Sequence, residues 1–241
     1  MPTVAISVDC EAANVGKCYT RELVRIAEEY TAPLTWLIYV SEKDPTSNVD
    51  LYHAEYLHRI PAWHEIGLLL GFENSKGPIS DPKERGDAIR IGKDTVKSRH
   101  IKPTSFRAHR ADLMPSDLPH LDDVGILVEA SACPGSRNKD SISGTPGPTQ
   151  PYHPSKDHLS EEGDSKIWIV PLATGGGICA YLDFGWDKVK KVVSDSLDRD
   201  RVTHIAVSDY VDSIDTLRKT LALCREKGAR IVTLTQLASE L

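Results

Sequence analysis

Short apolar runs alternate with helix-like segments along most of this chain, and this alternation constrains the fold more than any other feature. Residues 4–8 and 34–40 are runs of branched, aliphatic and aromatic side chains, which is typical of buried strands. Between them, apolar residues recur at helical spacing within residues 20–30. Because repeated strand and helix units favour a parallel sheet, we predict an α/β fold.

The units continue to the end of the chain. The clearest helix is predicted at residues 212–227, before Gly228 and a last strand at residues 231–234. A chain of 241 residues is long enough for one large α/β domain with a substantial buried core. We therefore predict a single domain over residues 1–241.

The charge and hydropathy of the sequence argue against two kinds of partner. The net charge is −6 and no block of Lys and Arg could follow a phosphate backbone, so we expect no nucleic acid partner. No apolar run approaches the roughly 18 to 20 residues that cross a bilayer, so no membrane span is predicted. The strand at residues 4–8 leaves too little room for a signal peptide.

The five cysteines are odd in number, widely spaced and without a Cys-x-x-Cys pair. This pattern argues against a disulfide framework and against a thiolate zinc site. A reducing compartment fits best, and a cytoplasmic location is therefore predicted.

The alternation lapses between Cys133 and Gly163, where Pro, Gly, Ser and charged residues accumulate. We predict one long loop here rather than a linker between domains, and loops of this length often carry function. His153 lies in this loop, and Pro154 restricts its backbone in a way that suits substrate contact. An ordinary surface position fits His153 equally well, so both interpretations stay open.

Asp9 and Glu11 follow the first predicted strand, at the end where parallel sheets place their reactive groups. Taken alone, the pair fits a functional site and a simple turn cap equally well. Six segments in the right order nevertheless resemble the polysaccharide deacetylases, the family with the NodB homology domain. They are Asp9 with its neighbours and residues 34–40, 64–68, 105–108, 128–134 and 231–237. The resemblance implies a distorted (β/α) barrel with an active site at the strand ends.

In active members of that family, a divalent metal such as zinc activates water for hydrolysis of an acetyl group on a sugar. A carboxylate acts as the base, and a histidine protonates the leaving group. The resemblance assigns the base to Asp9 and the arginine that orients it to Arg107. It implies a carbohydrate or a sugar-linked substrate as the partner.

The positions that the resemblance assigns to the metal are largely replaced in this chain. The metal aspartate corresponds to Cys10, the first metal histidine to Leu69 and the second to Glu73. An aliphatic side chain has no lone pair to donate, whereas a carboxylate at position 73 could still bind an ion. The catalytic histidine corresponds to Ser208.

Other polar residues could complete a rebuilt site. The candidate metal ligands are Cys10, Glu11, Glu73 and His109, and His109 could instead supply the acid or make a packing or substrate contact. The candidate substrate-binding residues are Arg110, His153 and Asp209.

Two functions follow from this pattern. The first is a protein of carbohydrate metabolism whose metal-dependent hydrolysis is impaired or absent; the resemblance implies surface-polysaccharide biosynthesis and a nucleotide-linked or lipid-linked sugar. The alternative is an active carbohydrate deacetylase with a rebuilt site and Asp9 as its base. The presence of Leu69 and Ser208 at the ligand and acid positions favours the first.

Overall fold

The computed structural model describes residues 1–11, 18–41, 56–97, 101–135 and 146–241. Its main sheet consists of β1 (Thr3–Cys10), β2 (Thr35–Val40), β3 (Glu65–Leu70), β6 (Ser105–Ala108), β7 (Val128–Glu129), β8 (Trp168–Ile169), β11 (Val202–Ser208) and β12 (Arg230–Val232). The strand order is β11-β1-β2-β3-β6-β7-β8, with β12 paired to the first half of β1, and all pairs are parallel.

Helices and two hairpins surround this sheet. The helices are α1 (Thr20–Tyr30), α2 (Pro82–Val96), α3 (Asp117–Asp123), α4 (Trp186–Arg199), α5 (Ile214–Glu226) and α6 (Leu234–Ala238). The hairpins pair β4 (Glu73–Asn74) with β5 (Gly77–Pro78) and β9 (Thr174–Gly175) with β10 (Ile178–Cys179). In the described part of the chain, no helix combines the length and the apolar character needed to cross a bilayer.

The sheet curls into a ring that closes without a regular strand pair. Between β8 and β11, single hydrogen bonds replace a continuous ladder: the Ala173 amide donates to the His204 carbonyl at 2.9 Å, and the Ala206 amide donates to the Ala180 carbonyl at 3.0 Å. The predicted distorted (β/α) barrel is therefore confirmed. The parallel order follows from the repeated strand and helix units of the sequence.

Side-chain alternation along each strand decides which residues reach the inside of the ring. Along β1, the side chains Val4, Ile6, Val8 and Cys10 pack against the helices in the main hydrophobic core. Ser7 and Asp9 point to the opposite face, where both contact Arg107 of β6. Leu69 of β3 also faces this side and lies outside the main core. The inside of the ring is thus polar at β1 and β6 and apolar at β3.

Two glycines that weaken the helical pattern of α2 have a packing role. A Cβ atom at Gly86 would come within 2.6 Å of the His120 ring, and one at Gly92 within 2.9 Å of the Leu70 side chain. These close approaches bring α2 against α3 and β3. Single glycines in a helix cost about 1 kcal/mol relative to alanine, which packing here offsets.

The structure corrects the prediction for the cysteines. Cys133 and Cys179 form a disulfide with their Cα atoms 6.0 Å apart, which joins the segment after β7 to the β9–β10 hairpin. The two residues are 46 positions apart, so the sequence spacing gave no sign of the pair. Disulfides persist mainly in oxidising compartments, and this bond counts against the predicted cytoplasmic location.

Candidate functional site

A cavity of about 790 Å³ opens at the carboxyl ends of the central strands, where the sequence predicted a site. Its polar lining includes Asp9, Glu11, Arg107, His109, Arg110, Asp183 and Ser208, and its other walls include Leu69, Tyr181, Phe184, Tyr210 and the Cys133–Cys179 disulfide. The cavity therefore combines ionisable groups with aromatic surface.

Asp9 and Arg107 form a buried ion pair at the base of the cavity. The Arg107 guanidinium Nη1 donates to Asp9 Oδ1 at 2.5 Å, and the two side chains are only 5% and 3% exposed. The hydroxyl of Tyr181 donates to the other carboxylate oxygen of Asp9. The family resemblance implied that Asp9 and Arg107 belong to one site, and the structure brings them into direct contact.

Ser7 and His204 also contact the Arg107 guanidinium, and neither residue was predicted from the sequence to belong to the site. Arg107 Nη2 donates to Ser7 Oγ at 2.8 Å and lies 3.3 Å from His204 Nε2. Because His204 Nδ1 contacts the Val170 carbonyl at 2.9 Å, Nδ1 carries the proton and Nε2 is the acceptor. Burial, and then the charge of Arg107, lower the pKa of His204 to about 3. A neutral His204 therefore orients the arginine.

The protonation of Asp9 is set mainly by two opposing effects. Burial raises the pKa of Asp9 to about 7, while the Arg107 guanidinium acts to lower it. A carboxyl group that gains and loses its proton near neutral pH can serve as a general acid or base. This chemistry is available at Asp9 without any further ligand.

A second set of polar side chains connects Glu11, His109, Tyr39 and Glu73. His109 Nε2 is 3.4 Å from Glu11 Oε2, and His109 Nδ1 is 3.3 Å from the Tyr39 hydroxyl. The same hydroxyl donates to Glu73 Oε1 at 3.4 Å. Three of the candidate ligands thus lie in one chain of contacts, with Tyr39 between His109 and Glu73.

The residues around the cavity do not fit a conventional metal centre. Cys10 is excluded as a ligand, because its side chain lies in the hydrophobic core and burial raises the pKa of its thiol well above the ordinary value. Leu69 presents hydrocarbon to the cavity. Across the described ranges, no three His, Cys, Asp or Glu side chains are placed to hold an ion together. The thiol prediction was wrong because adjacent residues of a strand face opposite sides.

Asp209 is a buried anchor and does not line the cavity. One carboxylate oxygen accepts the Glu11 amide at 2.9 Å, and the other accepts the Tyr56 hydroxyl at 2.8 Å. Its exposed fraction is 0%. The prediction that Asp209 binds substrate is therefore corrected: it fixes the backbone that carries Glu11.

The remaining two candidate substrate residues lie in different places. Arg110 lines the cavity. His153 does not: its Nδ1 lies 3.1 Å from the Ile167 carbonyl, and its ring packs against Trp168 in a tilted arrangement with centroids 3.7 Å apart. The substrate interpretation of His153 is corrected, since the ring is used to cover the edge strand β8.

Glu129 is a buried carboxylic acid next to the cavity, and its protonation can be tested. Its Oε1 accepts the Ser131 amide at 2.8 Å, whereas its buried Oε2 has no hydrogen-bond partner within the described ranges. Burial raises the pKa of Glu129 to about 7, and the hydrogen bonds from Ser131 oppose this rise. The unfolded chain has a pKa near 4.3 here, so the carboxyl takes up a proton on folding between these values. The contribution of this group to the free energy of unfolding therefore falls as pH rises from about 4 to about 7.

We expect Glu129→Gln to remove this loss. The stability difference between variant and parent should shift in favour of the variant by on the order of 2 kcal/mol from pH 4.5 to pH 8, because glutamine cannot ionise. Urea denaturation at both pH values measures it, and contributions of Asp9 and His204 cancel in the comparison. Glu28→Gln, at an exposed position on α1, is the control. A pH-independent difference for Glu129→Gln would contradict the assignment.

No protein-family model matches this sequence, and no curated protein matches it. Solved structures do. A Mycobacterium smegmatis protein assigned to the polysaccharide deacetylases superimposes with a TM-score of 0.66 at 13% identity, over 99% of this chain and 89% of that chain. A family 4 carbohydrate esterase from Streptomyces lividans, in complex with acetate, has a TM-score of 0.55 at 9% identity, over 97% and 93% of the chains.

A third similar structure is a mutant of a family 4 carbohydrate esterase pseudoenzyme with restored enzymatic activity. It has a TM-score of 0.58 at 9% identity, over 99% of this chain and 68% of that chain. At such identities the likeness concerns the fold, while function has to be argued from the site. The resemblance noted in the sequence is confirmed at this level: the chain has the fold of the polysaccharide deacetylases of carbohydrate esterase family 4.

Proposed function

We propose that this protein binds a carbohydrate in the cavity and that its metal-dependent deacetylation is impaired or absent. The observation that carries the proposal is the pair Cys10 and Leu69, at two positions that the family resemblance assigns to metal ligands. The first side chain lies in the hydrophobic core, and the second offers only hydrocarbon to the cavity. Metal-assisted hydrolysis needs several donors converging on one ion.

The lining of the cavity supports a sugar as the ligand. Phe184 and Tyr210 are large aromatic side chains that stay 49% and 44% exposed at the cavity. A sugar ring has an apolar face that can cover an aromatic ring, and hydroxyl groups that can pair with groups such as Glu11 and His109. This mixture of surfaces suits a carbohydrate better than a wholly apolar ligand.

A role in surface-polysaccharide biosynthesis, with a nucleotide-linked or lipid-linked sugar as ligand, is the finer form of this proposal. It rests on family resemblance. Its cytoplasmic setting conflicts with the Cys133–Cys179 disulfide, which favours an oxidising compartment. Thiol labelling of protein isolated without reductant distinguishes a cytoplasmic from an oxidising compartment. Reactive thiols at both Cys133 and Cys179 would support the cytoplasm.

The first test combines sugar binding with product analysis. Calorimetric titration with N-acetylglucosamine oligomers should show binding, and incubation with zinc and the same oligomers should release no acetate. Phe184→Ala should weaken binding about threefold to tenfold, because it removes an aromatic contact. Trp63→Ala is the matched control, since Trp63 is 42% exposed and does not line the cavity. Equal effects of the two variants, or no binding at all, would refute a sugar site here.

The second candidate function is an active carbohydrate deacetylase with a rebuilt site. It is favoured by the near-neutral pKa of Asp9 and by the contact between Glu11 and His109. Acetate release that depends on an added divalent metal and disappears in Asp9→Asn would establish this function. The same result would overturn the proposal that hydrolysis is lost.

A further inference from the structure

Arg110 is a cation at the cavity that has no partner among the residues that the structure describes. It is exposed, lines the cavity and has no hydrogen bond or ion pair with any residue in the described ranges. Arg107, the other arginine of the lining, donates to Asp9, Ser7 and the Ala130 carbonyl. An unpaired guanidinium at a binding cavity is suited to planar oxyanions, which it can bind through two parallel hydrogen bonds.

The backbone that carries Arg110 is held in an unfavourable conformation. Arg110 has φ 57° and ψ 21°, and the next residue, Ala111, has φ 55°. Two successive non-glycine residues with positive φ are rare, because their Cβ atoms crowd the backbone. Such strain persists only where the surrounding structure enforces it, and it concentrates at functional sites.

The buried side chain of Arg85 holds the backbone next to this strained pair. Arg85 of α2 is 0% exposed, and its Nη2 donates to the Asp112 carbonyl at 2.7 Å. The same guanidinium is fixed by Asp117 through bonds of 2.8 and 2.6 Å. The segment after β6 is therefore clamped one residue beyond the strained pair, and this clamp keeps Arg110 at the cavity.

The carboxylates of the cavity already have donors. Asp9 is engaged by Arg107 and Tyr181, and Asp183 accepts the Ser208 amide at 3.0 Å and the Ser213 hydroxyl at 2.9 Å. Glu11 faces His109 at 3.4 Å. Arg110 is thus the charged group of the described lining that remains available to attract an anionic ligand.

We propose that the carbohydrate bound in this cavity carries an oxyanion, either the carboxylate of a uronic acid or a phosphate, and that Arg110 recognises it. This inference rests on the proposed carbohydrate function and names the class of sugar. It also explains why a strained conformation is kept at residues 110 and 111, where glycine would be easier to accommodate.

The test compares three probes by calorimetric titration: a glucuronic acid oligomer, glucose 1-phosphate and a neutral N-acetylglucosamine oligomer. At least one anionic probe should bind about tenfold or more tightly than the neutral one, and added salt should reduce the difference. The two anionic arms distinguish a carboxylate from a phosphate ligand. Equal binding of all three probes overturns the inference but leaves carbohydrate binding intact, whereas no binding of any probe refutes both.

Two glycine variants separate the cation from the backbone strain. Arg110→Gly and Ala111→Gly should both raise the melting temperature, because each relieves one positive φ angle. Only Arg110→Gly should abolish the preference for the anionic probe. Arg201→Gln, at an exposed arginine just before β11, should keep it. Retention of the preference in Arg110→Gly, or equally tight binding of inorganic phosphate alone, would contradict the proposal.

Discussion

Replacement of Arg107 by methionine is expected to lower the free energy of unfolding by about 3–5 kcal/mol, because it leaves a buried carboxyl without its cation. Arg107 donates to Asp9, to Ser7 and, through Nε at 2.9 Å, to the Ala130 carbonyl. All of these acceptors are buried. Urea denaturation at pH 7 measures the loss, and binding of the sugar probes should disappear with it.

The control for this variant is Arg218→Met. Arg218 pairs with Glu29 on the surface, with side chains 40% and 38% exposed, so its loss should cost at most about 1 kcal/mol. If Arg107→Met cost no more than Arg218→Met, the Asp9 pair would be solvated and the base of the cavity would be open to water. The assignment of Asp9 as a buried acid or base would then fail.

Asp209→Ala is the second variant with a large expected effect. It should cost about 3 kcal/mol or more, because the Glu11 amide, the Tyr56 hydroxyl and the Thr20 hydroxyl lose a buried acceptor. Asp215→Ala is the control, since Asp215 forms an exposed pair with Lys219 on α5 and should change stability by less than about 0.5 kcal/mol.

The same variant distinguishes an anchor from a substrate contact. An anchor loses stability in the absence of any sugar, and urea denaturation of the free protein detects this. A substrate contact would instead leave the unfolding curve unchanged and weaken only the titration with sugar. The second outcome would restore the role that the sequence suggested for Asp209.

Much of the fold could be predicted because hydrophobic spacing is a local property. The helix predicted at residues 20–30 is α1 with the same bounds, and the predicted second strand, residues 34–40, contains β2. In contrast, β7 and β8 have only two residues each, and they are defined by pairing with strands elsewhere in the chain. Pairing of that kind leaves little trace in local sequence.

The site was predictable only in part, for the same reason. Asp9 and Arg107 could be joined because family resemblance links the two segments. Ser7 and His204 could not, since a serine and a histidine inside apolar strands look like ordinary strand residues. An alternation argument would have found them: both lie on the same strand face as a polar neighbour, Asp9 on β1 and Ser208 on β11.

By itself, the sequence determined that strands and helices alternate, because the period of apolar residues is a local property of the chain. That Asp9 and Arg107 belong to one site was implied by the family resemblance of their segments. Only the tertiary structure decided that Cys10 turns into the core, that Cys133 meets Cys179, and that Arg110 has no partner among the described residues at the cavity. Those outcomes depend on which face of a strand each side chain occupies once the ring has closed, and on contacts between residues far apart in the chain.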